Sequence, residues 1–167
     1  MTETQNPQPQ VLLQKIFLRD ASCEVPKAPE IFTKAWKPEM DVQLNTATKG
    51  LGGESHLVEL TVTVTAKLEE QTAFLVEVKQ AGIFDIKGIA DDAQLKAVLG
   101  GYCPGILFPY LRESVSDLVQ RAGFPQMLLQ PMNFEALYHQ HAQAQGQAPD
   151  AAAAVLHDKQ VPRGIYR

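Results

Sequence analysis

Side chains alternate between two faces, as in a strand, through four stretches of the chain. From Thr72 to Ile86, Phe74, Val76 and Val78 point one way and Ala73, Leu75, Glu77 and Lys79 the other, as in a strand with a core face and a water face. Leu57 to Leu68 opposes Val58, Leu60, Val62 and Val64 to Glu59, Thr61, Thr63 and Thr65. Met40 to Thr46 sets Met40, Val42 and Leu44 against Asp41, Gln43 and Asn45. Val11 to Arg19 sets Leu12, Ile16 and Leu18 against Leu13, Lys15, Phe17 and Arg19. Short polar turns, at Gly50, Gly52 and Gly53 and at Lys67 to Gln71, join the later strands, so they pair antiparallel. On alternation alone, Leu75 beside Glu77 is a stray leucine on an ordinary solvated face.

A sheet with one apolar face needs a cover, and the second half of the chain supplies helices for it. Asp91 to Leu99 is helical in pattern and is stopped by Gly100-Gly101. Tyr110 to Ala122 places Leu111, Val115, Leu118 and Val119 at helical spacing, with Pro109 in its first turn and Gly123 as its cap. Phe124 to Met132 is an extended loop, and Asn133 caps a helix from Phe134 to about Gln143. The expected fold is therefore α+β, a four-stranded antiparallel sheet with one face covered by two main C-terminal helices. Before the sheet closes, Val25 to Pro38 reads as a crossing loop, because Pro26, Pro29 and Pro38 cannot donate to a ladder. Its Ile31, Phe32 and Trp36 either pin the loop to the core or line a functional surface.

The 167 residues suffice for one domain, read as 11–143 between a disordered start, Met1 to Gln10, and a mobile Ala/Gln-rich tail, 144–167. A net charge of −4 with no basic run argues against nucleic acid as a partner. No apolar run approaches the roughly 20 residues that span a bilayer, so no membrane insertion is expected. Cys23 and Cys103 have no metal spacing and no export signal before them, which points to reduced thiols in the cytoplasm. The search for chemistry finds no enzyme, metal or cofactor. His56 and His157 stand alone, His139 and His141 fall on different helix faces, and Cys103 lacks a basic neighbour. Glu113 is the one acid that an enzyme hypothesis, a thioesterase-like domain with an apolar pocket, would use.

An ordered set of short strings carries a resemblance. Val62-Thr-Val-Thr-Ala66, Thr72 to Glu77, Ala81-Gly-Ile-Phe84, Tyr102-Cys-Pro104, Ile106 to Tyr110, Phe124-Pro-Gln126 and Asn133-Phe134 together resemble the SecB family of protein-export chaperones, from about Leu13 to Tyr138. The resemblance implies a holdase that works without ATP, keeps unfolded preproteins competent for export and delivers them to the SecA ATPase. It also implies a homotetramer, a dimer of dimers with helices between two sheets. Asp20, Glu24, Leu75 and Glu77 are then the SecA-docking residues, and the zinc of that encounter belongs to SecA. Ile31, Phe32 and Trp36 would face Leu128, Phe134, Leu137 and Tyr138 across a client groove. Phe74, Val76 and Val78 take a second duty at subunit interfaces. A SecB-like chaperone dedicated to a toxin–antitoxin pair is the rival within the same resemblance.

Overall fold

The computed structural model describes residues 8–145. Strands β1 (Gln10–Glu24), β2 (Glu39–Gly52), β3 (Ser55–Leu68) and β4 (Gln71–Lys87) form one antiparallel sheet in the order β1-β4-β3-β2. The crossing loop, tightened by a 3-10 turn at Glu30–Thr33, carries the chain from one edge of the sheet to the other. β3 and β4 meet at a two-residue turn in which Glu69 and Glu70 both have positive φ, the backbone that matches strand twist. The expected domain limits shift a little. Gln10, read as part of the disordered start, opens β1, and Ala144, read as tail, ends the last helix. The remaining calls on the start and the tail fall on residues 1–7 and 146–167, outside the described residues.

The inner sheet face is built as alternation requires. Val58, Leu60, Val62 and Val64 of β3 and Phe74, Val76 and Val78 of β4 are all 0% exposed. Helix α2 (Cys103–Arg121) covers them with Leu107, Leu111, Val115 and Val119, one residue per turn along a single stripe. Phe74 also packs against Trp36 and Phe124, so Phe74, Val76 and Val78, all fully buried within the subunit, have no surface left to offer another subunit. The interface duty expected of them is corrected by their burial in the subunit's own core. Helix α3 (Phe134–Ala144) also departs from expectation: it packs chiefly on the chain just before α2, and not on the sheet.

The helical region is continuous where a break was expected. Asp91 caps α1 (Asp92–Ala97), its Oδ1 accepting from the Ala93 N–H at 3.2 Å. A wider π turn, Val98–Tyr102, then leads directly into α2. Gly100 serves packing here, since a Cβ on it would lie 2.5 Å from the Tyr138 ring of α3. Pro104 occupies the first turn of α2, and Pro109 sits inside the helix. An interior proline costs about 3 kcal/mol. Four buried stripe residues at about 1.5–3 kcal/mol each outweigh it. Gly123, at φ +93°, ends α2, with the Phe124 N–H bonded to the Val119 carbonyl at 3.2 Å. Asn133 caps α3 as expected, its Oδ1 accepting from the Ala136 N–H at 3.0 Å.

β1 does not keep the simple alternation. Its pairing with β4 shifts between Leu13 and Lys15 and again between Leu18 and Asp20. Opposite residues share a face, so Leu13 joins Phe84, and Ile16 and Leu18 join Gly82 and Gln80, on the inner side. Leu12, expected with Ile16 and Leu18, lies opposite Asp85 on the outer side.

Candidate functional site

Two surfaces of opposite character emerge, one on each side of β4. The first is an aromatic trench formed by the crossing loop. Ile31 anchors the loop at 2% exposure, while Phe32 stays 48% exposed. The Phe32 ring lies 5.0 Å from Phe124, and the half-buried Trp36 ring lies 5.1 Å from Phe124 and 6.3 Å from Phe74. Phe124 and Phe74 are 5.1 Å apart, which makes Phe124 the hub of the cluster. Lys34 Nζ bonds the Glu69 carboxylate at 3.0 Å and the Gln71 side-chain oxygen at 3.2 Å, fastening the loop to the β3–β4 turn.

The remaining groove residues lie elsewhere. Phe134 is buried against Phe108, with centroids 5.4 Å apart, and Tyr138 covers Gly100. Leu137 is half-buried beside the same core. A hollow of about 350 Å³ opens next to Phe134, lined by Tyr102, Ile106 and Met132. From Phe108 to the end of α2 at Arg121 is 13 residues, about 20 Å of helix. The structure therefore separates Phe32 and Trp36 from Phe134, Leu137 and Tyr138 at opposite ends of α2. The loop Phe124–Met132 connects them, with Met127 and Leu129 buried and Leu128 turned outward. Leu128 lines a shallow groove of about 500 Å³ with Pro109, Arg112, Glu113 and Asp117.

The second surface is the outer face of β1 and β4. Glu24 lies opposite Leu75, Ser22 opposite Glu77, and Asp20 opposite Lys79. Asp20, Glu24, Leu75 and Glu77 therefore share one face of two adjacent strands, with Asp20 and Glu24 about 13 Å apart along β1. Asp20 and Glu24 are exposed, and Leu75 and Glu77 are half-buried. The Thr63 hydroxyl donates to the Glu77 carboxylate at 3.2 Å and orients it across β3. This face offers carboxylates around one apolar side chain, which suits a cationic polypeptide.

The candidates for chemistry are dispersed. Burial pushes the Cys103 thiol up to about 12, so it stays protonated and inert at neutral pH. Burial, helped by the Glu24 charge, also raises the Cys23 thiol. Glu113 is exposed on α2, and no group of His, Cys, Asp and Glu that could hold a metal occurs among the described residues. Sequence reasoning missed Phe124, whose signal was an aromatic residue directly after a helix-capping glycine.

An open sheet under one long helix, an aromatic trench and a carboxylate face describe a protein that handles other polypeptides. The comparisons agree. A family model described as preprotein translocase subunit SecB matches residues 4–145. The protein-export protein SecB of Alcanivorax borkumensis is 56% identical over 147 residues, covering 86% of this chain and 93% of the relative. That of Ectopseudomonas mendocina is 51% identical over 151 residues, covering 90% and 92%. Among solved structures, a SecB-like chaperone of Mycobacterium tuberculosis in complex with an antitoxin peptide superposes with a TM-score of 0.62. It is 20% identical, with 73% of this chain and 90% of that chain covered, and it shares the fold. The chain belongs to the SecB family of protein-export chaperones.

Proposed function

We propose that this chain is a cytoplasmic holdase, working without ATP, that binds unfolded preproteins along its aromatic trench and passes them to the SecA ATPase through the outer face of β1 and β4. The observation that carries this reading is the placement of Asp20, Glu24, Leu75 and Glu77 on one face of adjacent strands, with the trench on the sheet's other side. Phe32, Trp36 and Leu128 give sequence-tolerant apolar contacts, and many weak contacts spread over several subunits give avidity for long unfolded chains. A dimer of dimers would also bring the separated apolar groups of neighbouring subunits into longer surfaces. Support for assembly comes from β1, an edge strand whose Leu13 and Leu18 stay exposed on the inner side.

The test is Glu77→Lys. Reversing this charge removes one attraction to a cationic segment and adds one repulsion, each about 1 kcal/mol at about 4 Å in water. SecA affinity measured by calorimetry should fall about tenfold or more while affinity for an unfolded preprotein holds. Unchanged SecA affinity would remove the docking assignment. Trp36 emission should respond to an unfolded preprotein and not to its folded form, and sedimentation as a stable monomer at micromolar concentration would remove the tetramer.

A further inference from the structure

The acidic face exists because β1 changes sides at its second bulge. Leu18 lies opposite the buried Gln80 and Asp20 opposite the outward Lys79, so Arg19 is the extra residue in a two-against-one bulge. Were the ladder regular, Asp20 would fall opposite Val78 and Glu24 opposite Phe74, placing both carboxylates against the core. Burying them there unpaired would be prohibitive, so the bulge sets the register of Asp20, Ser22 and Glu24. It leaves that segment weakly anchored, however. Beyond the bulge, Cys23 is half-buried and Asp20, Ala21, Ser22 and Glu24 are exposed. Exposed ends of edge strands are where local opening is cheapest, and a partner binding there must first order them.

The bulge residue itself supplies the restraint. Arg19 Nη1 is paired with Glu59 Oε2 on β3, so the guanidinium reaches over β4, where Ala81 stands opposite Glu59. The Glu59 side chain is 16% exposed, so the pair is partly shielded from water. The first bulge is built in the same way. Its extra residue, Gln14, donates to the Asp85 carboxylate at 2.9 Å. We propose that Arg19 is a positioning residue of the docking face, holding the end of β1 so that Asp20 and Glu24 are presented as a fixed pair to a cationic partner segment. The proposal rests on the docking role given to that face above.

Charge and position predict opposite signs, which makes the test decisive. Arg19→Ala removes a cation from an acidic face, so charge alone would tighten binding of a cationic partner. Loss of positioning weakens it. Calorimetric titration of the full-length protein with purified SecA should show Arg19→Ala about three- to fivefold weaker, the reach of a partly exposed ion pair. Arg19→Lys should recover most of that loss, and affinity for an unfolded preprotein should be unchanged in both. Hydrogen exchange should quicken at the amides of Ala21 to Glu24 and hold in β3. SecA binding by Arg19→Ala as tight as the parent, or tighter, overturns the proposal. Glu77→Lys run alongside separates the two failures: if it weakens SecA and Arg19→Ala does not, positioning alone is wrong. If neither changes SecA affinity, the docking role falls and positioning with it. Should Arg19→Ala fail to fold, Glu59→Gln replaces it, and unchanged exchange at Ala21 to Glu24 in that variant also overturns the proposal.

Discussion

Gly100→Ala tests why the helical region runs through a glycine pair without stopping. An added Cβ would lie 2.5 Å from Tyr138 Cδ2 and 2.8 Å from Cε2. Carbon atoms rest about 3.5–4.0 Å apart, so the ring must retreat by about 1 Å or more. Overpacking of this kind costs about 1–3 kcal/mol. Replacing glycine by alanine in a helical backbone returns about 1 kcal/mol. The net loss should therefore fall between about 0 and 2 kcal/mol in the native background. In a Tyr138→Ala background the obstructing ring is gone, and the same substitution should stabilise by about 1 kcal/mol. The coupling, about 1–3 kcal/mol, stands well above the few tenths seen between independent sites. Urea unfolding of the four proteins, at one fixed protomer concentration because assembly is linked to stability, measures it. A stabilising Gly100→Ala in the native background, or additivity within about 0.3 kcal/mol, would refute close approach as the reason for the glycine.

Phe124→Ala should cost about 3–5 kcal/mol, since three aromatic rings lose their common neighbour, and the emission of Trp36 should shift to the red. A loss under about 1 kcal/mol in urea unfolding would mean the ring is peripheral. The Cys103 thiol is raised from its ordinary 9.0 to about 12 by burial, so the unfolded chain gives up this proton first as pH rises. Its contribution is complete below pH 9.0 and is lost between there and about pH 12, at no more than about 1.4 kcal/mol per pH unit. Cys103→Ala should therefore lose stability less steeply above pH 9.0, and parallel urea-midpoint profiles for the two proteins would contradict this. Asn133→Ala should lower stability by about 1 kcal/mol through loss of the α3 cap, with Asn133→Asp close to neutral in thermal unfolding.

Where structure follows from neighbours in sequence, the chain could be read directly. Alternation gave β2, β3 and β4 their faces, helical spacing gave most of the α2 stripe, and Gly123 and Asn133 marked real helix ends. Where the cause lies far away in the chain, local reading failed. Gly100 reads as a breaker until Tyr138, on another helix, is seen to need the space. β1 reads as one alternating strand because a bulge leaves no local mark: Arg19 and Asp20 both face outward only through the pairing with β4. The same limit applied to the sites. Alternation turned Leu75 and Glu77 outward, but Asp20 and Glu24 came to them by resemblance, and the bulge supplies the physical reason. The residues that the resemblance assigns to a client groove could be named without their arrangement, because the 19-residue length of α2 decides which of them meet.

The arrangement of β4 constrains how a client is handed over. Phe74 and Leu75 are consecutive, so their side chains leave opposite faces of the sheet: Phe74 lies beneath the trench, and Leu75 stands on the outer, carboxylate-bearing face. Under the proposed function, client and motor then approach from opposite sides and do not compete for one surface. Within one subunit, a motor on that face would not meet the client directly under that reading. The arrangement fits a proposal in which the loaded chaperone is captured first and the chain then passes on as its weak apolar contacts open and close one at a time. Contacts of that kind suit such a transfer, because each can be given up without releasing the rest.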